Sequence, residues 1–293
     1  MRVVSILITA DELAEQLASG APPVILDVRW RLDRPDGRPA YLEGHIPGAV
    51  YVDLERELAR SGRPEEGRHP LPPVARLQAA ARSWGIGQGD EVVVYDDLQN
   101  LSSSRAWWLL RHAGIAEVRL LDGSLQAWVA SGRALESGTV QPKAGNVTLS
   151  YGHLPTIDID GAAAFPGHGT LLDARAGERY RGEIEPVDPR AGHIPGAVSA
   201  PTAENVDDEG RFLPPEGLRQ RFRGLGISAG GQVAVYCGSG VTATHEIVAL
   251  TLAGYRPALY PGSWSEWSNH PERPVATVEA PAGLERGSGA TDA

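Results

Sequence analysis

Val233-Ala234-Val235-Tyr236-Cys237-Gly238-Ser239-Gly240-Val241-Thr242-Ala243 carries the clearest fold signal of the chain. Its first four residues are apolar without a polar alternation, the pattern of a strand covered on both faces. A short glycine-rich turn follows, and a helical pattern runs from Thr244 through Leu252. Cys237 is the one cysteine of the chain. It falls at the end of a buried strand, at the mouth of a loop, just before a helix N-terminus. Backbone N–H groups converge at such a place and favour an anion. A thiol held there is expected to ionise readily at neutral pH.

The same order of elements occurs twice in the chain. Leu171-Leu172-Asp173-Ala174-Arg175 repeats Ile25-Leu26-Asp27-Val28-Arg29. Gly192-His193-Ile194-Pro195-Gly196-Ala197-Val198 repeats residues 44–50 without a change. Val233-Ala234-Val235-Tyr236 repeats Val92-Val93-Val94-Tyr95, and Gly262-Ser263 with Trp267 repeats Gly123-Ser124 with Trp128. The chain is therefore a tandem duplication. Each copy alternates strands with helices, which predicts an α/β fold of two domains, each with a mainly parallel sheet flanked by helices. A first helix is expected after Thr9-Ala10-Asp11-Glu12, which has capping-box spacing. Residues 31–43 read as a polar loop. The expected limits are 1–135 for the first domain, 136–155 for a Gly-, Pro- and Lys-containing linker, and 156–280 for the second domain. The Gly-, Ala- and Ser-rich tail at 281–293 is expected to be disordered.

The copies differ where Cys237 stands, because the first copy has Asp96 there. One working site is expected, built by the second domain, with the first as scaffold and as one wall of a cleft. Asp27, Asp173, Trp128 and Trp267, present in both copies, are expected to be structural. Trp264 is expected in the core or the cleft wall.

The 293 residues carry a net charge of −10, from 27 basic and 37 acidic side chains. No basic cluster stands out, which argues against nucleic acid or an anionic membrane as partner. The apolar run near Met1 is too short for a membrane span and has no cleavage-site pattern. A single cysteine excludes an intramolecular disulfide and a multi-cysteine metal site, and fits a reducing, cytoplasmic compartment. No metal and no cofactor are expected.

The two Gly-His-Ile-Pro-Gly-Ala motifs, the loop Cys237-Gly238-Ser239-Gly240-Val241-Thr242 and the late Gly262-Ser263-Trp264-Ser265-Glu266-Trp267 resemble the tandem-domain rhodanese-like sulfurtransferases. The resemblance spans nearly the whole chain apart from the tail. The six-residue loop is similar to that of the 3-mercaptopyruvate sulfurtransferases. Thiosulfate sulfurtransferases typically carry basic residues where Gly238 and Ser239 stand. The resemblance implies that Cys237 takes a sulfur atom from a small-molecule donor, holds it as a persulfide and passes it to a thiol, cyanide or a thioredoxin-like protein. Loop N–H groups, with Gly238, Gly240, Val241 and Thr242 shaping the cradle, would stabilise the anionic sulfur. Thr242 is expected to hydrogen-bond within the loop or to cap the helix.

The same resemblance implies that Arg179 binds the carboxylate of 3-mercaptopyruvate, with Arg190 as a second such arginine and Arg181 as a weaker candidate. It also implies a proton relay of Ser239, His45 and Asp36, with Asp33 as competitor for the last place. A turn-capping role for His45 stands beside that reading, because His193 repeats it. Two other readings of the residues remain open: thiosulfate as donor, and a persulfide carrier module serving a protein partner. A phosphatase is disfavoured, since Ala243 stands where such a loop needs arginine, and the context of a cysteine protease is absent.

Overall fold

The computed structural model describes residues 5–277. The expected disordered tail at 281–293 lies outside the described residues. The described chain forms two parallel sheets, one in each copy of the repeat. The first has strands β1 (Leu7–Ile8), β2 (Val24–Asp27), β3 (Val50–Tyr51), β4 (Val92–Tyr95) and β5 (Val118–Leu121), in the order β1-β5-β4-β2-β3. The second has β6 (Thr170–Asp173), β7 (Val198–Ser199), β8 (Val233–Tyr236) and β9 (Ala258–Leu259), in the order β7-β6-β8-β9. The unbroken apolar runs become the inner strands β4 and β8, whose residues are all buried. Their register repeats too: Asp27 pairs with Tyr95, and Asp173 with Tyr236.

Local motifs behave alike in both halves. Thr9 caps helix Ala10–Leu17: its Oγ1 accepts from the Glu12 N–H (3.2 Å), and the Glu12 carboxylate accepts from the Thr9 N–H (2.9 Å). In each Gly-His-Ile-Pro motif the imidazole stacks on a tyrosine, His45 on Tyr41 at 4.1 Å and His193 on Tyr180 at 3.7 Å. The isoleucine N–H donates to the tyrosine ending the inner strand, Ile46 to Tyr95 and Ile194 to Tyr236, both at 3.1 Å. Asp27 and Asp173 each pair with the arginine two residues on, and that arginine donates to the carbonyl of Gly44 or Gly192. The motif is thus a corner that ties a loop to the sheet. The stretch 31–43, read as a polar loop, folds at its end into helix Arg38–Glu43, with Pro39 in the first turn, where its missing N–H costs nothing.

The halves meet through the helices that follow the two loops, Ser103–His112 and Ala243–Leu252, which pack on each other. Both are buried nearly all round, as core helices are. One apolar cluster runs across the junction, joining Trp108 and Leu109 to Phe222 and Val248. The linker is packed as well: Val147 and Leu149 are buried, and the Val147 and Ser150 N–H groups donate to Ile86 and Ala113 of the first half. This junction brings first-half side chains up to the Cys237 loop.

Candidate active site

Cys237 follows β8 directly, so it sits at the carboxyl end of a parallel sheet, where open α/β folds carry their ligand clefts. It lines a cleft of about 310 Å³ together with Gly238, Ser239, Val241, Thr242 and Arg179. The Gly240 N–H donates to Cys237 Sγ at 3.1 Å. Gly240 has φ 74°, and a Cβ there would stand 2.3 Å from the Pro261 carbonyl oxygen, so only glycine fits. Among the described residues the N–H groups of Ser239, Val241 and Thr242 have no protein acceptor.

The back of the loop is held by the late tryptophan motif. The Trp264 and Ser265 N–H groups donate to the carbonyls of Cys237 (2.9 Å) and Gly238 (2.8 Å), and the Cys237 N–H donates to Ser263 Oγ (3.1 Å). Ser263 adopts φ 55°, a strained backbone of the kind that clusters at working sites. Trp264 is buried, and the Trp267 indole N–H donates to the Pro274 carbonyl, as Trp128 does to that of Ala134. Thr242 makes no side-chain cap bond to its helix, which corrects the capping expectation; it lines the cleft instead.

Ser239 meets a histidine, but not His45. Ser239 Oγ lies 2.8 Å from His69 Nδ1, and His69 Nε2 lies 4.0 Å from a carboxylate oxygen of Glu55. The indole of Trp30 packs edge-on against the ring at 5.3 Å. Burial, and then the positive charges of Arg105 and Arg68, push His69 down to about 3, so the ring is neutral at physiological pH. His45 and Asp36 are corrected accordingly. His45 Nδ1 lies 2.9 Å from the Tyr41 carbonyl inside the corner of the first domain, and the exposed Asp36 accepts from the Arg38 N–H. Asp33 is likewise exposed. His69 reaches the loop because it lies in a segment of the first domain that crosses to the second. The signal was present in the repeat: Gly67-Arg68-His69 matches Gly210-Arg211-Phe212, so His69 differs between copies whereas His45 does not.

Two guanidinium groups stand over Gly238. A Cβ on that glycine would meet Arg68 Nη2 at 3.2 Å and Arg179 Nη1 at 3.5 Å. Arg179 is braced by Glu185 (2.6 Å) and Asp188 (3.4 Å), and Asp188 also pairs with Arg68. The loop sequence carries no basic residue, yet the folded loop has two beside it, one from each domain. Arg190 is not among them. It donates to the carbonyls of Trp267, Ser268, His270 and Arg273, which fastens the end of the described chain, so its assignment to substrate is corrected. Arg181 pairs with Glu183 at the surface.

Comparison with known proteins bears on the family of the chain. The profile of the Rhodanese-like domain matches residues 9–131 and 160–270. A Mycobacterium tuberculosis protein named "Putative thiosulfate sulfurtransferase SseB" is 51% identical over 273 residues, covering 92% of this chain and 96% of that protein. A Pseudomonas aeruginosa protein named "Probable 3-mercaptopyruvate sulfurtransferase" is 47% identical over 281 residues, covering 92% of this chain and 98% of its own. The crystal structure of SseA from Escherichia coli, described as a 3-mercaptopyruvate sulfurtransferase with the rhodanese fold, superposes with a TM-score of 0.79 at 32% identity, covering 89% of this chain and 99% of that one.

Proposed function

Because the chain belongs to the rhodanese-like family, with one such domain in each half, we propose that it is a sulfurtransferase that moves sulfur from 3-mercaptopyruvate to a thiol or cyanide through a persulfide on Cys237. The Cys237 thiolate attacks the donor's sulfur, the sulfur–carbon bond breaks, and the carbon fragment leaves as the enolate of pyruvate. The proton carried on the donor's sulfur ends on the pyruvate methyl group. Ser239 with neutral His69 is the pair that can carry it, and Glu55 faces the far ring nitrogen. The loop N–H groups hold the sulfur anion. Arg179 and Arg68 offer paired donors to the donor's carboxylate. The acceptor then takes the outer sulfur and restores the thiolate.

The observation that carries this reading is the Ser239–His69 contact beside the cysteine. A carbanionic leaving group needs a proton; sulfite, the leaving group from thiosulfate, does not. The name of the Pseudomonas relative supports the same donor. Thiosulfate is the second reading. The guanidinium pair over Gly238 favours it by supplying charge for a dianion, and the name of the mycobacterial relative points the same way. Thioredoxin-like acceptors and a cytoplasmic setting fit a single reducible persulfide. Among the described residues no helix is long and apolar enough to cross a membrane.

A side-by-side donor assay decides between the donors. We expect kcat/KM at least about tenfold higher with 3-mercaptopyruvate, and Arg179→Met to raise its KM about tenfold, the size of a lost charged hydrogen bond. Equal or better turnover of thiosulfate sinks the proposal.

A further inference from the structure

We propose that Arg105 is a positioning residue for sulfur transfer: from the first domain its guanidinium sets the Cys237 loop against the His69 segment and places a buried positive charge beside the loop that holds the sulfur. The inference rests on Cys237 being the nucleophile, as argued above. Arg105 lies in the junction helix Ser103–His112 and is wholly buried. Its guanidinium donates to the carbonyls of Gly240 (2.9 Å), His69 (2.8 Å) and Leu58 (3.2 Å). One group thus fixes the glycine that holds the sulfur, the histidine that meets Ser239, and the first domain.

A buried cation without an anion is costly, so its placement needs a reason. The titratable groups that act on Arg105 are Cys237 and Tyr151, and neither is a carboxylate. Burial pushes Arg105 down to about 10, and the charge of Cys237 acts in the opposite direction. Arg105 also helps, after burial, to keep His69 neutral, with Arg68 as the other cation and Glu55 as the acid near the ring. The repeat sharpens the point. Ser103-Ser104-Arg105 corresponds to Thr244-His245-Glu246, so the matching place in the second domain carries the opposite charge. Glu246 meets Arg221 (3.1 Å) and Asn205 (2.6 Å) of its own domain.

The test is the pH profile of iodoacetamide alkylation of Cys237 in the full chain, for wild type, Arg105→Met and Arg105→Lys. Alkylation needs no sulfur donor, so an error in the donor leaves it untouched; if alkylated wild type keeps its turnover, the fault lies in the Cys237 assignment instead. We expect Arg105→Met, of similar length and uncharged, to react at neutral pH at least about tenfold more slowly, with its profile moved to higher pH. Arg105→Lys keeps the charge and should react within about threefold of wild type while turnover falls at least about tenfold, because one ammonium cannot span the three carbonyls. A folded Arg105→Met with the wild-type profile overturns the proposal. If that variant does not fold, Arg105→Lys decides: wild-type turnover overturns the proposal, and slow turnover with rapid alkylation supports it.

Discussion

The two loops that leave β4 and β8 are built alike and filled differently. In the first domain the Asp96 carboxylate occupies the cradle itself. Its Oδ1 accepts from the N–H groups of Leu98 (2.7 Å) and Asn100 (2.9 Å) and from Ser124 Oγ (3.0 Å). Its Oδ2 accepts from the N–H groups of Ser102 (2.8 Å) and Ser103 (3.0 Å) and from Ser103 Oγ. In the second domain the shorter Cys237 side chain takes one N–H, that of Gly240, and among the described residues those of Ser239, Val241 and Thr242 have no protein acceptor. Ser124 and Ser263 adopt the same unusual φ, 57° and 55°, at matching positions. The cradle for an anion is therefore a property of the fold: a strand end, a tight loop and a helix start. The first domain shows what the cradle wants, and the second leaves room for a ligand to provide it.

The largest expected effect removes the sulfur. Cys237→Ser should lower transfer from any donor by more than about a thousandfold, as loss of a covalent nucleophile does. Cys237→Asp sharpens the comparison by writing the first loop into the second. It should be as inactive, yet melt no lower than wild type, because its carboxylate can collect the N–H groups that await an anion. A clear fall in its melting temperature would break the equivalence of the loops.

The reverse experiment empties the first cradle. Asp96→Ala strands the backbone N–H groups of Leu98, Ser102 and Ser103, whereas that of Asn100 keeps Ser124 Oγ. Each such group costs about 1–3 kcal/mol, so a loss of about 3 kcal/mol or more in denaturant unfolding is expected. Turnover per folded molecule should stay near wild type, because Asp96 touches no part of the cleft. A large fall in kcat at unchanged stability would mean that the first loop does more than scaffold.

What the sequence made legible, and what it hid, follows from how local each signal is. β4 and β8 were readable because four apolar residues in a row carry their own burial pattern. Cys237 was readable because the duplication supplied a contrast, Asp96. His69 escaped because its meaning lies in a crossing between domains, and no periodicity reports which segment crosses. The contrast with Phe212 is nonetheless in the sequence: His69 changes between the copies as Cys237 does, whereas His45 does not. Arg190 shows that spacing along the chain does not report where a long side chain reaches. Its reach is spent on four carbonyls of the terminal segment, and the guanidinium beside Arg179 comes instead from Arg68.

That contrast makes the next test. His69→Phe writes the second copy's residue into the first and removes the partner of Ser239. We expect kcat with 3-mercaptopyruvate to fall about a hundredfold, the usual weight of a general acid–base group. Turnover of thiosulfate should change little. His45→Gln disturbs a corner that His193 duplicates, so it should lower the melting temperature with little change in kcat. Equal effects of the two substitutions on kcat would show that the Ser239–His69 contact carries no proton.

The smallest expected effect is on stability against pH. Burial leads the causes that push His69 and His245 down to about 3 in the folded protein, whereas an unfolded histidine titrates near 6.5. Between those values the unfolded chain binds protons that the folded chain refuses. Their contribution is therefore complete above about pH 6.5 and is lost as the pH falls towards 3. Each histidine contributes a slope of about 1.4 kcal/mol per pH unit in that window. Denaturant unfolding of wild type and His69→Phe between pH 4 and pH 7 should give lines that differ by about that slope, with the variant less sensitive to acid. Phe212, in the matching loop, makes a sharper control: it stacks on His245 at 4.6 Å, so Phe212→Leu should leave the acid slope of His69 in place. Parallel lines for wild type and His69→Phe would mean that His69 takes up its proton within the folded protein. Burial would then not govern the charge of this ring, and the contrast with the Phe212 loop would rest on the Ser239 contact alone.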